Sequence, residues 1–376
     1  MVLQAEKRGK YTALLVVLLV VSIVAIPLVF FLSTPPPTDS IIQLPDPDVI
    51  GNMLLSDAMR NPGYSPVLAD YQMRISEISQ LLWAVQGITH GSVFRAIPSA
   101  GGTYPLEIFL IQTIDSDLEE GYYHYVPQEH SLEGINITIS STSLISAFSG
   151  DDQIAVSNVS TVFFILANYS KTTERYGDRG VQYVHLETGH AIQNFLIQLT
   201  SLGLRTRPIV QFETGLIQDL LRTSWDPLVA LPVGHAEEDL QGVAHYNIAD
   251  GSDATVEQAI ANRRSTREYI NGSIPNTVLT DVLNDSNSIT YLEGNCSLID
   301  LRVLAGQVDG LATGSYRYEL TDSSLTQFSS IDLRDELMVA GLNQPWIGSA
   351  QIDLVISVNT GWIYGEPDFV WAHRIA

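Results

Sequence analysis

The sequence predicts an α+β protein built as two related halves in tandem, behind one hydrophobic N-terminal segment. Three observations carry that expectation. Short β-branched or aromatic runs alternate with amphipathic helical stretches. Blocks of the first half recur, in order, in the second. Residues 13–32 form an apolar run of 20, broken only by Ser22 and Pro27.

The N-terminal run comes first. A bilayer core of ~30 Å takes about 20 apolar residues as helix. The run exceeds the roughly 7–15 apolar residues of a cleaved signal, and no clear A-x-A site follows, so it reads as an uncleaved anchor. Lys7, Arg8 and Lys10 precede it. They predict a cytoplasmic tip at 1–12, a single span at 13–32 in the cell membrane and the bulk of the chain outside. The opposite orientation remains a rival. Residues 33–50, with Pro35-Pro36-Pro37 and Leu44-Pro-Asp-Pro-Asp, read as a stiff extended spacer. Six N-x-S/T sequons, at Asn136, Asn158, Asn168, Asn271, Asn284 and Asn295, suit an outside location. Cys296 is the single cysteine and cannot staple its own chain.

The first half spans 51–235. Ser76 is expected to cap a helix carrying Ile78, Leu81, Leu82 and Val85, with Gly87 stopping it. Residues 106–113 and 161–167 read as buried strands. Residues 181–202 read as a long helix with Val181, Val184, Ala191, Phe195, Leu199 and Leu202 on one side and Gly203 after it. A polar linker follows at 236–253, and the second half, 254–376, lacks a counterpart of the long helix. Gly121-x-Tyr-x-Tyr and Ser131-Leu132 recur as Gly314-x-Tyr-x-Tyr and Ser324-Leu325, an offset of 193. Tyr176-Gly-Asp recurs as Tyr364-Gly-Glu, and Ala58-Met-Arg60 as Ala261-Asn-Arg263. Three matches in one order point to an internal duplication.

Composition excludes several chemistries. Nineteen Lys+Arg stand against 42 Asp+Glu, a net charge of −23, which argues against nucleic acid. Lys171 is the one lysine beyond residue 10 and has no glycine-rich loop before it, which disfavours a Walker loop. His185 and His190 point about 140° apart on a helix, so they do not share a metal with Glu187 and read as surface or helix-end histidines. No H-E-x-x-H, paired C-x-x-C or G-x-G-x-x-G occurs. Pro98-Ser-Ala-Gly-Gly lacks the first glycine of a nucleophile elbow.

The remaining blocks are more specific. Leu81-Leu-Trp-Ala-Val-Gln-Gly-Ile-Thr is followed by Arg95-Ala-Ile-Pro-Ser-Ala-Gly-Gly-Thr-Tyr-Pro-Leu-Glu. Tyr176-Gly-Asp-Arg-Gly, Leu186-Glu-Thr-Gly-His-Ala-Ile-Gln-Asn, Gly203-Leu-Arg-Thr-Arg-Pro-Ile and Leu231-Pro-Val-Gly follow. Over about residues 54–235 this resembles the flavin-dependent nitroreductase superfamily, and within it the SagB/ThcOx-type dehydrogenases, which oxidise peptide azolines to azoles. The resemblance implies an antiparallel-rich sheet flanked by helices, in tandem, and FMN as cofactor.

It also implies site residues. Pro98, Ser99, Ala100, Gly101 and Gly102 should line the flavin ring, where small residues let backbone approach a ligand. Gln193 and Asn194 should contact the cofactor, and Val210 and Gln211 should reach the ring's other edge. The phosphate tail wants arginines. The family's Arg-Arg-Ser-x-Arg is reduced to Arg60 in the first half but stands intact in the second, as Arg263, Arg264, Ser265 and Arg267. That cluster is read as lying at a helix start, where arginine opposes the helix dipole and calls for an anion. Where azoline-oxidising members carry Lys-Tyr, this chain has Arg175-Tyr176, the expected catalytic pair. Arginine stays protonated and cannot be the base, which weighs against azoline oxidation itself. His235 stands where relatives often carry a basic residue.

Family members form intertwined dimers in which one subunit's Pro-Ser loop meets flavin held by the other's arginines. The expectation is therefore an intramolecular pseudo-dimer, or a homodimer, with one composite FMN site between 98–102 and 263–267. The function expected is hydride or two-electron transfer to or from a small or peptide-derived substrate, with an unknown redox partner. The alternative is a flavin-free, degenerate domain kept as a surface interaction module.

Overall fold

Two antiparallel sheets organise the chain. The computed structural model describes residues 38–61, 63–91, 93–135, 141–236, 254–287, 299–319 and 322–358. The expected anchor and its basic tip, nearly all of the linker, Tyr364 and the sequons Asn136 and Asn295 lie outside the described residues. Among those described, no helix is long and apolar enough to cross a membrane.

The first sheet joins β1 (Thr38–Gln43), β7 (Ser131–Ile135), β6 (Gly121–Val126), β5 (Leu106–Gln112), β8 (Thr161–Ala167), β10 (Asp226–Ala236) and β2 (Leu68–Ala69) in that spatial order, with β9 (Arg205–Thr206) also on β10. A two-stranded ribbon, β3 (Ile88–His90) and β4 (Phe94–Arg95), stands apart. β8 shows why a continuous apolar run reads as a buried strand. Successive side chains point to opposite faces. Phe163 and Ile165 enter one core cluster, Phe164 and Leu166 the other.

Helices cover both faces. On one side lie α2 (Ile75–Gln86) and α6 (Arg179–Ser201), with α1 (Leu55–Arg60) against α6. Ile78, Leu81, Leu82 and Val85 are buried there as the spacing required, beside Val184, Ala191, Phe195 and Leu199. Val181 turns outward instead, being 37% exposed. On the other side α3 (Ser141–Ser146), α4 (Gly150–Ser157) and α7 (Thr214–Leu221) supply Leu144, Val156, Ile217 and Leu221, and the α3–α4 connection adds Phe148. The short α5 (Ser170–Tyr176) runs into α6.

Three local expectations are corrected. Helix α2 starts one residue ahead of the expected cap, Ser76. Arg74 stands at its N-cap in place of a hydroxyl residue, and the Glu77 carboxylate at N3 accepts from the Arg74 N–H at 2.8 Å. Thr38–Gln43, assigned to the spacer, is an edge strand paired with β7, because backbone groups beside a sheet edge gain partners by joining it. His185 is fully buried, and its Nε2 lies 3.0 Å from the Tyr169 hydroxyl.

The back unit holds α8 (Val256–Asn262), α9 (Asn276–Asn287) and a sheet ordered β13 (Ser324–Ser329), β12 (Gly314–Glu319), β11 (Ile299–Ala305), β14 (Ile352–Val358), with α10 (Arg334–Ala340) and α11 (Pro345–Ser349) between β13 and β14. This order repeats β7-β6-β5-β8. The register repeats too. Gln112↔Gly121 and Val126↔Ser131 in front correspond to Ala305↔Gly314 and Glu319↔Ser324 behind, each residue shifted by 193.

The helices repeat at an offset of 201, Leu55 to Val256 and Ile75 to Asn276. That differs by two from the offset of Ala58-Met-Arg60 on Ala261-Asn-Arg263, so Arg60 corresponds to Ala261. The two units meet at Leu54 and Thr255, themselves related by 201, in an antiparallel bridge. Leu55 N–H donates to Ala254 O at 3.0 Å and Val256 N–H to Met53 O at 3.0 Å. Each of these bonds is the counterpart of the other, the mark of a two-fold contact. Around the bridge Ala58, Trp83, Ala84 and Ile197 pack on Val256 and Ile260. Gln198 and Ser201 both donate to the buried Glu257 carboxylate, at 2.7 and 2.8 Å.

Candidate functional site

The loop 98–102 feeds β5 and is shaped by its own residues. Tyr104 N–H donates to Ser99 Oγ at 2.9 Å, and the Thr103 and Thr172 hydroxyls meet at 2.8 Å, tying the loop to α5. Gly101 has φ +61°, a left-handed conformation that favours glycine. A Cβ there would come within 2.3 Å of Tyr176 Oη and 2.7 Å of Arg175 Nη1. Arg175 donates to Gly101 O at 3.1 Å. The expected catalytic pair thus sits on the expected ring-binding loop. Gly177, at φ +58°, ends α5 and leaves Tyr176 as its last residue, edge-on to Tyr183.

Below the loop the site turns polar. Arg95 is buried, donates to Gln86 Oε1 at 2.6 Å and stacks 4.4 Å from the Tyr104 ring centre. Burial holds its guanidinium below the ordinary value, against the fields of Glu107, Tyr104 and Glu187. Glu187 lies beside Ser99, and burial pushes its carboxyl up to about 7, with Ser99, Arg95 and Gln86 pulling the other way. Glu107 forms an ion pair with Lys171 and a hydrogen bond with His124 Nε2 at 3.0 Å. Burial raises the Glu107 carboxyl, but hydrogen bonds from His124 and Lys171 outweigh it and leave the group below its ordinary value. Lys171 is therefore held by the Glu107 carboxylate.

The back unit reaches the same place with one side chain. Arg263 Nε donates to Ala96 O at 2.8 Å and Arg263 Nη2 to Arg95 O at 3.1 Å, two residues ahead of Pro98. The rest of its motif does not follow. Arg264 donates to Ala261 O and Arg263 O, and Arg267 donates to Ser265 O and lies 5.2 Å from the Trp346 ring. Arg264, Ser265 and Arg267 are exposed. The expectation that this cluster begins a helix is overturned: Arg263 is the C-cap of α8. Carbonyl groups point outward there, so the dipole favours arginine and no anion is called for on that ground.

Other expected residues belong to other segments. Arg60 pairs with Asp57 at 2.8 Å on the exposed side of α1. Asn194 Nδ2 donates to Ala84 O at 2.9 Å and so locks α6 to α2. Gln193 is half-buried on the same helix. Val210 and Gln211 follow Ile209, which pairs with Ala230 of β10, and Val210 packs on the core cluster that also holds Ile97 and Leu106. The sequence reading passed over Glu187 and Arg95 as site residues. Both lie inside the quoted blocks, and two ionisable groups at positions whose neighbours are buried were the available signal.

A flat ring with a polar edge fits what is here. The backbone at Gly101 and Gly102 is exposed, and Glu187 Oε1, Arg95 Nε and Gln86 Nε2 are buried without a hydrogen-bond partner. A phosphate fits less well, since Arg263 already serves two carbonyls. Among the described residues no His, Cys, Asp and Glu group could hold a metal.

Comparisons with known proteins agree with this geometry. The model of the Nitroreductase family matches residues 70–235. The chain is 36% identical over 197 residues to "Putative nitroreductase MJ1384" of Methanocaldococcus jannaschii, covering 52% of this chain and 97% of that one. It is 31% identical over 123 residues to the microcin B17-processing protein McbC of Escherichia coli, but spans 44% of McbC and 31% of itself there. The crystal structure of a "putative nitroreductase" from Anabaena variabilis superposes with a TM-score of 0.67 at 19% identity, over 88% of this chain and 82% of that one. That last likeness concerns the fold. With a curated relative matched over almost its whole length, the chain belongs to the nitroreductase family of oxidoreductases.

Proposed function

We propose that the chain is an FMN-dependent oxidoreductase in which one flavin site is assembled from both units. The observation that carries the reading is the Arg263 side chain, which crosses from the back unit to the carbonyls of Arg95 and Ala96 beside the loop 98–102. The repeated strand order and the reciprocal bonds around Leu54 and Thr255 support a tandem duplication folded as a pseudo-dimer. When bound, FMN supplies two-electron transfer. The protein's own groups bind and orient. Gly101 and Gly102 offer open backbone to the ring, and Ser99 offers a hydroxyl. Arg175 braces the loop through Gly101 O and adds fixed positive charge near the ring. Tyr176 can hold or pass a proton at Oη, where Arg175 cannot.

The substrate is proposed to be small or peptide-derived, since one relative is named for microcin B17 processing. Arg175 in place of lysine directs the proposal away from azoline oxidation and leaves proton transfer to Tyr176. The anchor, the outside location and the redox partner stay proposals of the same kind. Asn271 is exposed, so its glycosylation in the native host is the expected sign of an outside location; unmodified Asn271 in membrane-extracted protein would favour the reverse orientation.

The experiment is a visible spectrum of the purified protein. A yellow protein releasing FMN on denaturation is expected. Arg263→Ala with Arg267→Ala should weaken FMN at least about tenfold, or ~1.4 kcal/mol; undiminished colour rejects the shared site. A colourless wild type instead supports the flavin-free interaction module, which the local hydrogen bonds of Arg264 and Arg267 favour.

A further inference from the structure

Beneath the loop lies a buried acid that the reading above leaves idle. Glu187 projects from α6 and is 2% exposed. Ser99 of the loop, Arg95 of β4 and Gln86 of α2 face it, and Lys171 of α5 adds its field although Glu107 of β5 holds that ammonium. Tyr104 covers the outer side of Arg95. Three atoms of this cluster, Glu187 Oε1, Arg95 Nε and Gln86 Nε2, are buried without a hydrogen-bond partner. Native proteins leave few such atoms, and each calls for a physical explanation such as strain, a catalytic or redox role, or a bound water or ion.

The placement gives Glu187 a specific electrostatic relation to anything on the loop. An ionised carboxylate there repels negative charge above Ser99, whereas a neutral one does not, and little water intervenes to screen the difference. Resting on the flavin reading, we propose that Glu187 is the charge-compensating residue of this site, taking up a solvent proton when the ring over the loop becomes negative and releasing it on oxidation. A bound ring would take two electrons from an external donor and one proton, from water or with a transferred hydride, and would keep one negative charge. A second proton, from water, converts the Glu187 carboxylate to the acid. Because burial already pushes the group up to about 7, it is part-ionised near neutrality and able to respond.

The test is an anaerobic redox titration of the FMN-loaded protein with dithionite from about pH 6 to 9. One extra proton per two electrons steepens the potential by about 30 mV per pH unit. Wild type is expected to show that increment above pH 7, Glu187→Gln to lose it, and Glu187→Asp to keep it over a shifted range. Coincident slopes in wild type and Glu187→Gln overturn the proposal. Should Glu187→Gln fail to fold, wild type alone decides: its reduced-minus-oxidised infrared spectrum above neutrality must gain a protonated-carboxyl C=O band, and absence of that band overturns the proposal. A colourless wild type sinks the flavin reading and this inference with it, whereas a yellow protein with coincident slopes sinks this inference alone.

Discussion

Gly101 shows how one residue sets the site. Its positive φ and the 2.3 Å approach that a Cβ would make to Tyr176 Oη act together, so Gly101→Ala should shift both the loop and the Arg175–Tyr176 pair. A cost on the order of 1–3 kcal/mol is expected, with lost FMN affinity, checked by thermal melting and flavin titration of the same sample. Glu187 makes a different prediction, about pH. Its folded value of about 7 lies above the ordinary 4.5, so the folded state binds the extra proton between those limits. Stability from this group is present below pH 4.5 and is lost as pH rises toward 7. Wild type should thus lose up to about 3 kcal/mol relative to Glu187→Gln across that window. Parallel melting curves for the two proteins would contradict the buried acid.

At the scale of elements, α6 is the part on which the others depend. Its apolar side packs on β8 through Phe195 and Phe163, whose rings meet edge to face at 5.1 Å, and its polar positions carry Glu187 and Asn194. Phe195→Ala should cost about 3–5 kcal/mol, read by denaturant unfolding. Asn194→Ala should loosen α6 from α2 by about 1 kcal/mol and leave the flavin spectrum in place, because its amide bonds Ala84 O and not the loop. These elements were legible in the sequence: β8 spans the expected residues, α2 and α6 are displaced by one or two, and the buried faces follow the spacing. The loop and the Arg175–Tyr176 pair were legible too, but through resemblance, since neither spacing nor periodicity brings residue 101 to residue 176. What misled was local context. Arg263 looks like a helix beginner because a motif starts there, yet the helix that matters lies before it.

For the molecule as a whole, the seam between units is the decisive feature. Trp83 and Ala84 of the front pack on Val256 and Ile260 of the back, and Gln198 and Ser201 both donate to Glu257 Oε1. Val256→Asp should place a charge in that contact and separate the units. A lowered melting temperature with loss of bound flavin is expected, and a variant that melts like wild type would show the contact to be dispensable. The matches at an offset of 193 were visible in the sequence, and the pairings Gln112↔Gly121 and Val126↔Ser131 recur at that offset in the back sheet. The helix offset of 201 was not visible, because six residues of weak similarity allow several alignments, whereas two reciprocal hydrogen bonds allow one.

Composition, periodicity and ordered blocks by themselves determined an α+β chain of net charge −23, the strands β5 and β8, the helices α2 and α6 to within two residues, and the glycine loop. These depend on neighbours within a few residues, where backbone geometry and side-chain alternation act directly. Tertiary structure alone decided that Arg263 meets the carbonyls of Arg95 and Ala96 just ahead of the loop, that Arg60 pairs with Asp57, and that Glu187 is buried beside Ser99. The contacts of Arg263 and Glu187 join residues roughly ninety to one hundred and seventy positions apart, and only the packing of sheet, helix and second unit brings them within hydrogen-bonding reach.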